Sequence, residues 1–190
     1  MPFVFRFSGL VLSCLLLVVV CHTPAPADGA RLSELSVTPS EGVLVFQATV
    51  AGAFNEKMEA AIKSGVPVTF TFLIRAARVR RMWFDRDVAE YRVSHTITYD
   101  NLKEEFTVHR SWEGEKTLVT KSLDQARNAM VRIEGLPLCS LDDLERDTVY
   151  RVSAKAELDK LTLPLYLHYV LFFVSFWDVE TDWHHVDFTY

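Results

Sequence analysis

The sequence predicts an α+β, β-rich fold: an antiparallel β-sandwich or a strongly curved antiparallel sheet, carrying two short helices. Two observations point there. Long segments alternate apolar and polar residues with period two, as strands with one buried and one wet face must. Between them lie two short stretches with helical spacing and cap residues.

The chain of 190 residues opens on a segment that belongs to neither class. Arg6 is followed by an apolar run, Gly9 to Cys21, and then by Ala25-Pro26-Ala27, a small-x-small pattern of the kind signal peptidase accommodates. A run of about a dozen residues is too short to cross a ~30 Å hydrocarbon core as a permanent helix. Residues 1–27 therefore read as a signal peptide and 28–190 as a single β-rich envelope domain. Cys21 closes the run and admits a lipoprotein reading, but Val20 before it is bulky where such sites take a small residue, which favours simple secretion. Cleavage after Ala27 leaves 163 residues, enough for a hydrophobic core. Loss of Arg6 leaves 19 basic against 25 acidic side chains, a net charge of −6. An acidic, exported chain is not a nucleic-acid partner. Cys14 and Cys21 leave with the signal, so Cys139 has no internal partner and reads as a small buried hydrophobe.

The strands follow from the alternation. Val66, Val68, Phe70, Phe72 and Ile74 point one way, with Thr69, Thr71 and Arg75 opposite. The same pattern holds for Tyr91, Val93, His95, Ile97 and Tyr99; for Phe106, Val108 and Trp112; and for Tyr150, Val152, Ala154, Ala156 and Leu158. Weaker strand signals run from Leu32 to Thr38, Val43 to Val50, Lys116 to Thr120 and Trp183 to Tyr190. Asp100-Asn101 predicts a two-residue hairpin turn and Glu113-Gly114 a second turn, so residues 89–120 form a meander. Asn55 predicts the cap of a helix over Glu56–Ser64 that Gly65 stops. Ser122 and Gln125 form a capping box for a second helix carrying Leu123, Ala126, Met130 and Ile133, ended by Gly135 and Pro137.

Leu161 to Trp177 carries no charged residue and resists this scheme. It reads either as a strand or helix buried through the domain centre, or as a surface that docks on a membrane or an apolar partner. Beyond it, the string Phe172-Phe173-Val174-Ser175-Phe176-Trp177-Asp178-Val179-Glu180-Thr181-Asp182-Trp183 is distinctive. With Leu163-Pro164 before it, Val186-Asp187-Phe188 after it, the Gly65-Val66-Pro67 strand entry and the arginine-rich stretch ending in Trp83, it resembles the bacterial family called domain of unknown function 4390. The resemblance implies an exported, uncharacterised protein, associated with genes for envelope-sensing two-component kinases. It supplies no catalytic residues.

Candidate chemistry is sparse. His184 and His185 adjoin Glu180, Asp182 and Asp187, but neighbours on a strand face opposite sides and do not share one ion easily. His185 and Asp187 do share a face, and His95, His109 or His168 would have to complete a metal site; no ligand spacing fixes one. His95 lies on the apolar face of its strand and reads as a hydrogen-bonded core residue. No Gly-x-Ser-x-Gly elbow, glycine-rich phosphate loop or paired-carboxylate cleft is legible. Asp142-Asp143 and Glu104-Glu105 read as solvated charge, and Trp177 and Trp183 as core and corner residues. Catalytic, cofactor and metal residues are therefore all read as none.

The strongest local anomaly is Arg75, Arg78, Arg80, Arg81 and Arg86 around Met82-Trp83-Phe84. Arginines of this density serve either to deter strand pairing at an edge or to dock a partner. The candidate partner-binding residues are Arg75, Arg78, Arg80, Arg81, Trp83 and Arg86. The expected function is a non-catalytic interaction or accessory module of the periplasm or envelope, binding a protein partner such as an envelope sensor. The alternative is a lipid- or apolar-ligand-binding, membrane-docking protein using residues 161–177. A metal-dependent enzyme ranks third.

Overall fold

The computed structural model describes residues 29–80, 84–159 and 179–190. The expected signal peptide at 1–27, the apolar stretch 161–177 and the residues Arg81, Trp83 and His168 lie outside the described residues. Among the described residues, nine strands and two α-helices follow in the order β1 (Arg31–Ser40), β2 (Val43–Ala51), α1 (Glu56–Lys63), β3 (Val68–Arg78), β4 (Arg86–Asp100), β5 (Glu105–Arg110), β6 (Thr117–Thr120), α2 (Leu123–Val131), β7 (Arg132–Ser140), β8 (Val149–Leu158) and β9 (His184–Thr189). They form two antiparallel sheets, one of order β1-β2-β7 and one of order β6-β5-β4-β3-β8-β9. The fold is α+β and sandwich-like, as the alternation predicts.

The alternating residues turn their apolar sides to a common core. Val68, Phe70, Phe72 and Ile74 of β3, Val93 and Ile97 of β4, and Val152, Ala154 and Ala156 of β8 are buried against Leu44, Phe46, Ala48 and Val50 of β2 and Ile133, Leu136 and Leu138 of β7. Removing this apolar surface from water supplies the main stabilisation, about 1.5–3 kcal/mol for each large side chain fully buried. Helix α2 covers the β5–β6 end of the large sheet, with Ala126 and Met130 inward, and α1 adds Met58 and Ile62.

The helix starts form as their caps dictate. The Asn55 side chain accepts from Met58 N at 2.9 Å. Ser122 accepts from Gln125 N at 3.4 Å, but the reciprocal half of the expected box is replaced. Thr120 donates to Gln125 Oε1 at 2.7 Å and accepts from Ser122 N at 3.1 Å, so it takes the place Gln125 would have filled.

Three expectations need correction. Helix α2 ends at Val131, and Ile133, Gly135 and Pro137 belong to strand β7 rather than to a helix and its stop. The register against β2 skips once between Phe46 and Gln47 and once between Leu44 and Val45, leaving Gly135 and Leu138 as extra residues. Gly135 has φ 84°, a conformation other residues adopt only with strain, so the glycine serves a bulge. Pro137 is tolerated because β7 is at the border of its sheet among the described residues. The β4–β5 turn is also longer than two residues. Asp100 pairs with Glu105, and the Asp100 carboxylate accepts from Leu102 N and Lys103 N, folding residues 101–104 into a side-chain-capped loop. Trp183, read as a corner residue, is 52 % exposed.

Candidate functional site

The hairpin joining β3 to β4 carries the arginine-rich stretch. Register divides its arginines between two faces. Arg75 lies opposite Glu90 and Ser153 on the outer face of the large sheet. Arg78 lies opposite Arg86 on one side and Tyr150 on the other, which places both arginines on the opposite face. Alternation alone puts residues 75 and 78 on different sides. A bulge then brings Arg86 into line with Arg78, because the β3–β4 register skips Val88 between Ala76 and Ala77.

Neighbouring acids neutralise part of the cluster. Arg75 pairs with Asp87 and Arg78 with Glu145. The hydrogen bond and charge of Asp87 raise the Arg75 guanidinium above its ordinary range. On the same outer face Arg151 grips Asp187 with two hydrogen bonds of 2.7 Å each, and Lys155 is held by Glu157 at 2.9 Å and by Glu180. The Arg151 contact holds the Asp187 carboxylate below the usual carboxylate range. The outer face is thus a lattice of solvated ion pairs rather than a positive field.

The tip differs. Phe84 is 95 % exposed. The turn around it is braced by Arg80 N, which donates to Asp85 Oδ1 at 3.1 Å. Arg80 and Arg86 are exposed, and neither forms an ion pair among the described residues. The structure therefore gathers Arg78, Arg80 and Arg86 at the hairpin end and sets Arg75 apart. Phe84 belongs to this group; its place in the arginine-rich run was visible in sequence, but its exposure required the turn.

Among the described histidines, His95 and His184 have partners within the fold. His95 is fully buried on β4. Its Nδ1 is 3.0 Å from Met130 O at the end of α2, and its Nε2 accepts from Trp112 Nε1 at 3.1 Å. A carbonyl accepts and an indole N–H donates, so the ring is neutral with its proton on Nδ1. Burial, reinforced by the Arg110 charge, lowers its pKa to about 4, against the backbone contact to Met130. His184 Nδ1 is 3.1 Å from Asp182 O. Asp187, a metal candidate with His185, is occupied by Arg151. No group of three or more metal-ligating side chains occurs among the described residues. Cys139 is half-buried, and burial together with Asp143 raises its thiol above the ordinary value.

A pocket of about 390 Å³ lies between the end of β2 and the outer face of α2, lined by Val50, Phe54, Asp124, Arg127, Asn128 and Val131. The Arg127 guanidinium stands 5.5 Å from the Phe54 ring centroid and pairs with Glu59 at 3.1 Å. Its charge is met by the protein itself. No described helix is long and apolar enough to cross a membrane.

A family model described as Domain of unknown function (DUF4390) matches residues 27–187. No curated protein and no solved structure shows significant similarity to the chain.

Proposed function

The chain belongs to the DUF4390 family, and we propose that it is a non-catalytic interaction module of the bacterial envelope that docks a protein partner at the β3–β4 hairpin tip. The observation that carries this reading is Phe84, standing 95 % exposed between Arg80 and Arg86 on a turn braced by Asp85. A large aromatic left in water beside arginines is the composition of interface anchors, which gain their energy when a partner desolvates them. The surroundings favour a protein over an anionic membrane. Asp85, Asp87 and Glu145 interleave with the arginines, so the hairpin offers paired charges for a mixed surface rather than a uniform positive field.

A photo-crosslinking residue in place of Phe84, in the chain expressed in its native envelope, tests the reading. A protein adduct is expected at position 84, lost when Arg80 and Arg86 are both changed to Glu. The same probe at Val119, an exposed residue of β6, should give none. No adduct at 84, an equal adduct at 119, or an adduct indifferent to the arginines would end the proposal. Adducts to lipid alone would transfer the site to the membrane-docking reading. Export is tested separately by intact mass: a mature chain starting at Asp28 is expected.

A further inference from the structure

Strand β4 holds the segment α2–β7 by two side-chain bonds to backbone carbonyls. Tyr91 donates to Leu138 O at 2.6 Å, tying the large sheet to β7 of the small one. His95, four residues along the same face, meets Met130 O at the end of α2. It also accepts from Trp112, which follows β5. Of these groups the imidazole is the one whose charge changes in mild acid. Only the neutral ring with its proton on Nδ1 makes both of the histidine's bonds.

We propose that His95 is an acid-sensitive latch: neutral, it clamps the end of α2 and Trp112 onto β4, and on protonation it releases both. A proton on Nε2 turns that nitrogen into a donor facing the Trp112 N–H, and no lone pair is left to accept. The groups around the ring oppose the new charge. Arg110 of β5 stands directly opposite His95 in the ladder and repels a second cation. Glu113 pairs with Arg110 at 2.8 Å and dilutes that repulsion without removing it. From β3 the ring meets Phe72, with centroids 4.9 Å apart. From α2 it meets the Met130 carbonyl, with that of Ala129 nearby. Protonated in place, the ring would keep its Nδ1–H bond to Met130 O but lose the Trp112 bond and remain a cation without solvent; it is relieved by leaving its site, and that departure frees Met130 O as well.

Release becomes easier over a defined range. An opened ring titrates near 6.5 and the closed one near 4, so acidification between those values favours opening by up to about 300-fold. Well above pH 6.5 both states are neutral and the latch becomes insensitive to pH. This device is independent of the docking reading, since its readout lies in α2 and Trp112 rather than at the hairpin tip.

Amide hydrogen exchange of residues 123–131 and the Trp112 indole resonance, followed from pH 7.5 to 4 in the whole chain, test it. After correction for intrinsic exchange, α2 should lose protection by up to two orders of magnitude as pH falls below 6.5. The Trp112 indole resonance should move in parallel, while β3 and β8 stay protected. His95→Gln, which takes up no proton, should abolish the pH dependence. Should that variant not fold, Trp112→Phe decides: removing the indole N–H eases protonation and should move the transition to higher pH. Protection that does not change with pH, a change that survives His95→Gln, or a transition that Trp112→Phe leaves in place would overturn the latch.

Discussion

Strand β4 passes through two polar environments that use hydrogen bonds and charge to opposite ends. At its middle, His95 is sealed from water with a partner on each ring nitrogen, and each bond joins a different element. At its start, Arg86 faces Arg78 across the ladder in the open, with Arg80, Phe84 and a scatter of acids nearby. A buried polar group contributes by never being left unsatisfied, because an orphaned partner loses its full hydration. An exposed pair exchanges one set of water contacts for another, and its net effect is small. One strand thus builds the interior with polar residues at one point and leaves them available to a partner at another.

Mutations should separate the two regions by size of effect. Phe72→Ala, beside the His95 ring, is expected to cost about 3–5 kcal/mol in urea denaturation, the transfer of the ring plus the cavity it leaves. A loss below 1 kcal/mol would mean that the core under β4 is not packed as described. His95→Ala should cost about 3 kcal/mol at pH 7.5, from lost volume and two orphaned partners. The pH dependence has a fixed sign. The folded pKa lies below the unfolded one, so the unfolded chain binds the extra proton and stability falls as pH drops from about 6.5 to 4. This one group would remove about 3 kcal/mol over that window, and His95→Gln should flatten its share of the curve. Asn55→Ala removes the cap of α1 and should cost about 1 kcal/mol, with Asn55→Ser restoring most of it. At the open end, Arg80→Glu with Arg86→Glu should leave the urea midpoint unmoved while eliminating the crosslink from position 84, and Phe84→Ala should leave the midpoint unmoved as well. A large stability loss from either would mark the hairpin as structural and erase the contrast.

The large sheet was readable because its strands obey one rule. Phe70, Phe72 and Ile74 alternate with Thr69, Thr71 and Arg75, and no bulge interrupts β3 against β8. His95 was legible as a core residue for the same reason: a histidine on an apolar face must find partners there. Strand β7 was not legible, since Gly135 and Pro137 carry the same local signal whether they end a helix or accommodate a bulge at a sheet edge. Only the non-local pairing with β2 distinguishes the two. The arrangement of the candidate site was not legible for a related reason. Five arginines close in sequence look like one patch, yet strand alternation sends Arg75 to one face and Arg78 to the other. Their counter-charges come from Asp87 and Glu145, and Glu145 is 67 residues from Arg78. Ion pairing across such distances leaves no trace in a local window.

The irregularities of β7 bear on how copies of this protein coexist. A free strand edge is a row of unmatched donors and acceptors that invites another chain to add itself. Here one border of the small sheet lacks the N–H of Pro137 and is stepped twice within nine residues, while β6 at a border of the large sheet is only four residues long. Neither offers a straight template for a foreign strand. At these two of the four borders among the described residues, strand addition by another copy is discouraged, and recognition there is left to side chains.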